Sequence, residues 1–108
     1  MDFRDYQAQA SRSARPDLPF REALAMAVLG LGGESGEVQE LVKKSLFHER
    51  ALDRARLAEE LGDVLWYLAA LCSVLGLSLE EVAEGNLAKL RSRYPEGFRT
   101  VEAPASDT

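Results

Sequence analysis

The sequence predicts an all-α fold of four helices in one domain. Two observations carry that expectation. Apolar residues recur every three or four positions over long stretches, and no alternating pattern of strand length occurs. Pro, Gly, Asp and Ser separate those stretches where helices stop and start.

The first helix is expected over about Asp2 to Ser13, with Phe3, Tyr6 and Ala10 on one side. "ARPDLPF", Ala14 to Phe20, breaks it, because each proline disfavours helix in the residue before it. The second helix runs from about Arg21 to Phe47. "HERALD" connects it to the third, which Asp53 caps. That third helix spans about Arg54 to Leu75 and stops at Gly76, a residue suited to the position after a helix end. Ser78 and Glu81 form an S-x-x-E capping box and open the fourth helix. It runs to about Arg93 and ends near Pro95 and Gly97. The domain is expected over residues 1–98. Residues 99–108 are small and polar and read as a disordered tail.

At 108 residues the core is modest, so oligomerisation would help the fold. The net charge of −5 argues against a nucleic-acid binder, which needs a basic face for phosphates. No basic segment followed by an apolar one marks a secretory signal, and no apolar run approaches a membrane span. A cytoplasmic location is expected. Cys72, among Leu68, Leu71 and Leu75, reads as a small buried thiol rather than a reactive one.

On helical wheels the second helix has an apolar stripe of Leu24, Val28, Leu31, Val38, Val42 and Leu46. Glu34 falls inside the edge of that stripe and Glu37 just beyond it, while Glu40 and Lys43 point away. The third helix has Leu57, Leu61, Val64, Leu68, Leu71 and Leu75 as its stripe. Glu60 falls inside that edge, Asp63 just outside, and Glu59 elsewhere. Either acid pair alone is commonplace on a solvated face. Two pairs at i and i+3, both turned to the seam, can meet if the helices are antiparallel neighbours. Half-buried carboxylates in such number repel, and a hard divalent cation with oxygen ligands, Mg²⁺ or Mn²⁺, would compensate them. Zinc lacks His and Cys partners here, and a ferritin-like di-iron site lacks its E-x-x-H pairs.

Gly33 and Gly36 flank Glu34, and Gly62 precedes Asp63. They permit close approach of a ligand or simply of a packed helix. On the fourth helix the stripe is Leu79, Val82, Ala83, Leu87 and Leu90, with Asn86, Lys89 and Arg93 along one edge. These cations either hold an anionic ligand, such as a polyphosphate, or extend into solvent. Tyr67 shares the face of Glu60 and Asp63, as a ligand contact or as core. Trp66 points away from its helix's apolar stripe, toward Gly62, Ala69, Ala70 and Ser73. Either a second copy or the first helix of the same chain would cover it.

Taken together, these motifs resemble the MazG-like branch of the all-α nucleoside triphosphate pyrophosphohydrolases. "DYQAQASRSA" resembles the family's opening helix. "GLGGESGEVQELVKK" carries E-x-x-E as Glu34 and Glu37, and "LAEELGDVLWYLAALCSVLGLSLEEV" carries E-x-x-D as Glu60 and Asp63. "NLAKLRSRYPEGF" matches the family's ending with Asn86, Lys89, Arg93 and Tyr94. The resemblance covers nearly the whole chain. It implies a four-helix bundle completed by dimerisation, as a homodimer or dimer of dimers. It also implies Mg²⁺-dependent hydrolysis of a nucleoside triphosphate to a monophosphate and pyrophosphate, as a house-cleaning activity. Metal ligands would be Glu34, Glu37, Glu60 and Asp63. Lys89, Asn86 and Arg93 would hold phosphate oxygens, with Lys44, Tyr67, Tyr94 and Gln7 as further substrate contacts. Which carboxylate takes the proton of the attacking water is open. Tyr6, Gln7 and His48 are candidates to contact the base. A phosphoribosyl-ATP pyrophosphohydrolase of the same fold and a non-catalytic nucleotide-binding module are the alternatives.

Overall fold

The computed structural model describes residues 1–98; the expected disordered tail lies outside the described residues. Helix α1 spans Phe3–Ala10, and a 3₁₀ turn, Ser11–Ser13, follows it. Helices α2, α3 and α4 span Phe20–Phe47, Arg54–Val74 and Leu79–Arg93. No strand occurs among the described residues. No single helix is long and apolar enough to cross a membrane.

The ends are set where the sequence places its caps. Asp53 accepts a bond from the Arg56 N–H at 3.0 Å and opens α3. Gly76, at φ +70°, closes it. The Leu77 N–H donates to the Cys72 carbonyl at 2.8 Å and the Gly76 N–H to that of Ser73 at 3.2 Å, which is a Schellman pair. Ser78 accepts from the Glu81 N–H at 3.3 Å. The Glu81 carboxylate does not return that bond, so only half of the expected capping box forms. The first helix is shorter than expected, because its last turn tightens into the 3₁₀ turn before Pro16.

Helices α2 and α3 form the body of the molecule, and their six-residue connection makes them antiparallel. At about 1.5 Å per residue α2 is roughly 42 Å long. Of its four glycines, Gly30 is the one that a close approach requires. A Cβ on Gly30 would sit inside the ring of Tyr67. At Gly33, Gly36 and Gly62, where close approach was expected, a Cβ would meet open space within this chain. The inward face of α2 includes Ala23, Ala27, Gly30 and Glu34, while Val28 and Leu46 of the predicted stripe are exposed. On α3, Leu57, Val64 and Leu71 face inward, but Leu61, Leu68 and Leu75 do not.

The small core joins α1, α3 and α4. Ala69, Cys72 and Leu79 are buried together, and Tyr6 and Leu65 pack against them. Burial pushes the Cys72 thiol above its ordinary range, in line with an inert sulfur. Gln7 ties the three helices. Its amide donates to Ser73 Oγ at 3.1 Å and to the Leu77 carbonyl at 3.0 Å. Its oxygen accepts from the Leu79 N–H at 2.8 Å, which satisfies a donor at the start of α4. Helix α4 leaves α3 at 104°. It touches α1 and α3 but not α2.

A carboxylate cluster between two antiparallel helices

Gly30 beside Tyr67 fixes the register of α2 against α3. Four residues on along α2 and four back along α3 bring Glu34 level with Asp63. Each helix repeats its face at i+3 and i+4, so Glu37 and Glu60 follow at the same level. Carboxylate oxygens of Glu34, Glu60 and Asp63 lie within 4.8 Å of one another. Glu34 and Glu60 are half-buried, Glu37 and Asp63 exposed, in the arrangement the wheels predict.

The electrostatics follow from this crowding. Glu60 has its pKa raised above the ordinary 4.5, first by burial, then by hydrogen bonding with Glu34 and by the charges of Glu34, Glu37 and Asp63. One oxygen of Glu34, Oε2, is buried and has no hydrogen-bond partner. A buried acceptor without a donor is costly. A cation among the oxygens would lower the raised pKa and satisfy the orphaned acceptor. The residues therefore fit a divalent metal, and an all-oxygen donor set suits Mg²⁺ or Mn²⁺ over zinc. Glu40 and Lys43 point away and pair with each other at 3.9 Å, as residues outside a site do.

The remaining predicted contacts are dispersed. Tyr67 is half-buried on Gly30, one turn from Asp63, and its ring stands edge-on to Trp66 at 5.0 Å. Asn86 and Lys89 are exposed on α4, and Arg93 and Tyr94 half-buried at its end. The backbone of α4 stays clear of α2, the helix that carries Glu34 and Glu37. Tyr94 instead packs against Phe98, ring centres 6.0 Å apart. Lys44 and His48 are exposed near the end of α2. Tyr6 packs on the core, and both amide atoms of Gln7 are engaged at the α3–α4 turn. Both have structural work within this chain.

Trp66 meets the 3₁₀ turn that follows α1. Its indole N–H donates to Ser13 Oγ at 2.9 Å, and the Ser13 hydroxyl donates to the Ala10 carbonyl at 2.8 Å. Sequence reasoning missed Gly30 and Ser13. The signal for Gly30 was present, as a glycine one turn before Glu34 on the same face.

Residues 23–98 match a family described as the MazG nucleotide pyrophosphohydrolase domain. The chain is also similar to the gene 37 protein of Mycobacterium phage L5. The two are 39% identical over 100 residues, across 85% of this chain and 88% of that protein. No solved structure matches.

Proposed function

The chain belongs to the MazG nucleotide pyrophosphohydrolase family, and we propose that it hydrolyses nucleoside triphosphates to a monophosphate and pyrophosphate. The observation that carries this reading is the cluster of Glu34, Glu60 and Asp63, with Glu37 beside it. Standard or damaged deoxynucleotides are the substrates, and the role is house-cleaning in the cytoplasm. Phosphoryl chemistry is mainly positioning and charge neutralisation. Bound divalent cations would supply that neutralisation and lower the pKa of a water. Glu34, Glu37, Glu60 and Asp63 would hold them, and one carboxylate would accept the proton of the attacking water. The water oxygen joins the α-phosphorus, the bond to the bridging oxygen breaks, and pyrophosphate leaves.

Lys89, with Asn86 and Arg93, neutralises the departing pyrophosphate. The α4 backbone stands clear of α2 within one chain, and in this reading a second copy supplies these groups. A homodimer is also what the packing asks for. Among the described residues only Ala27, Ala69, Cys72 and Leu79 are buried hydrophobics. Leu61, Leu68 and Leu75 are 56%, 39% and 46% exposed, at a seven-residue spacing that forms one stripe on α3.

The test is product analysis. Triphosphates with Mg²⁺ are expected to give pyrophosphate and monophosphate, and reaction in ¹⁸O water to label the monophosphate. Release of inorganic phosphate with a diphosphate left behind would sink the assignment.

A further inference from the structure

We propose that the contact between Gly30 and Tyr67 sets the spacing of the carboxylates, and with it which divalent cation they hold best. Gly30 and Tyr67 are then positioning residues of the site. This rests on the carboxylate cluster being the metal site of the function proposed above. A Cβ on Gly30 would lie inside the Tyr67 ring, so the ring occupies the place of a side chain on α2. At Gly32, Gly33, Gly36 and Gly62 a Cβ meets open space. The close approach is therefore local to one level of the α2–α3 seam, and that level is one turn from the acids. Glu34 follows Gly30 by four residues and Asp63 precedes Tyr67 by four, about 6 Å along each helix.

The tolerance at the acids is small. Oxygens on one Mg²⁺ stand about 2.1 Å from it, so no two can be more than about 4.2 Å apart. Oxygens on one Ca²⁺ stand at about 2.3–2.6 Å and can be up to about 5 Å apart. Those of Glu34, Glu60 and Asp63 lie within 4.8 Å of one another. A change on the order of 1 Å between the helices therefore decides whether the set can close on the smaller ion. A methyl on Gly30 would force such a change. Carbons in ordinary contact are about 3.5–4.0 Å apart, so ring and methyl would have to part by on the order of 1 Å. The ring has little freedom to turn aside, because Trp66 stands edge-on to it at 5.0 Å and is itself held by Ser13 at 2.9 Å. Close-packed helices transmit strain, so the separation carries to the next turn, where the acids stand.

The full chain, without nucleotide, is titrated with Mn²⁺ by electron paramagnetic resonance, and with Mg²⁺ and Ca²⁺ by competition against Mn²⁺. No substrate is present, so a contact of Tyr67 with nucleotide does not enter the result. Gly30→Ala should weaken Mg²⁺ binding by about tenfold or more, as loss of a group that orients metal ligands does. Ca²⁺ binding should weaken clearly less, so the ratio of the two affinities falls. Gly32→Ala, whose methyl has open space, should leave both affinities unchanged. The effect should also depend on the ring, so Gly30→Ala added to Tyr67→Leu should change the ratio little. That pair carries the test if Gly30→Ala alone does not fold. A folded Gly30→Ala with the wild-type ratio overturns the proposal, as does an equal loss for both ions. A loss undiminished beside Tyr67→Leu, or a double variant that does not fold, overturns it too. The expected ratios with no hydrolysis of any triphosphate would fault the proposed function and leave the spacing standing. Mg²⁺-dependent hydrolysis by the wild type with an unmoved ratio in Gly30→Ala would fault the spacing alone.

Discussion

Glu34 and Glu60 stand on different helices, yet their carboxylate oxygens lie within 4.8 Å of each other and of an oxygen of Asp63. Neither has a cationic side chain as ion-pair partner among the described residues. This is a poor arrangement for a metal-free protein and a good one for a protein that binds a divalent cation.

The pH dependence of stability follows from that contact. Glu60 titrates above 4.5 in the folded chain, so the native state holds its proton more tightly than the unfolded state. The stability it contributes is present below pH 4.5 and is lost as pH rises through the folded value. Thermal melts in EDTA should therefore show stability falling as pH rises above 4.5. Glu60→Gln should flatten that slope, and Mg²⁺ should stabilise the wild type more at pH 8 than at pH 5. A slope that is the same in wild type and Glu60→Gln would remove Glu60 as its source.

Catalysis should fail without unfolding when a cluster acid is neutralised. Glu60→Gln or Asp63→Asn is expected to lower Mg²⁺-dependent turnover on the order of 10²-fold or more, as loss of a preorganised electrostatic group does. Circular dichroism should stay helical, because neutralisation relieves repulsion. Glu59→Gln, exposed on another face, is the control and should retain turnover.

Two glycines of α2 should respond with opposite signs. A Cβ at Gly32 meets open space, so Gly32→Ala should gain up to about 1 kcal/mol from helix propensity. At Gly30 the same methyl displaces the ring of Tyr67, and overpacking of this kind costs about 1–3 kcal/mol. Denaturant unfolding of the two variants measures the difference directly.

These glycines also show what the sequence could and could not reveal. Helix ends were legible because caps are local: Asp53, Gly76 and Ser78 each act within five residues of themselves. The acid cluster was legible for the same reason, since i and i+3 spacing places each pair on one face before any partner is known. The stripes were legible in part. Leu24, Leu31, Val38 and Val42 of the α2 stripe and Leu57, Val64 and Leu71 of the α3 stripe are half-buried, while Val28, Leu46, Leu61, Leu68 and Leu75 are exposed. A wheel underweights Ala23, Ala27 and Gly30, the small residues that the inward face of α2 also carries. Gln7 was illegible because its partners lie 66 to 72 residues away and two of them are backbone groups.

Gln7→Ala should loosen α4 rather than alter the chemistry of the acids. Three hydrogen bonds are lost, each worth about 0.5–1.5 kcal/mol net, and the Leu79 N–H is left without its acceptor. A loss of about 1–3 kcal/mol is expected. Amide exchange at Leu79 should quicken, while exchange in the middle of α2 follows only the global change. Equal acceleration in both places would mean that Gln7 does not hold α4 locally.

The proposed assembly and catalysis would be linked if a second copy supplies Lys89 to the carboxylates. The exposed stripe of Leu61, Leu68 and Leu75 is where a second copy would bury apolar area about a two-fold axis. Leu68→Glu places a charge in the middle of that stripe without touching the carboxylates. It should sediment as a monomer or unfold, and turnover should fall in either case. The stricter test mixes two inactive chains, Glu60→Gln and Lys89→Ala. If each site takes its acids from one copy and Lys89 from the other, a mixed dimer contains one intact site. Random exchange then restores about a quarter of wild-type turnover. If acids and lysine act within one chain, neither partner in the mixture has both, and nothing is restored. A wild-type chain that sediments as a monomer while fully active would exclude the dimeric site altogether.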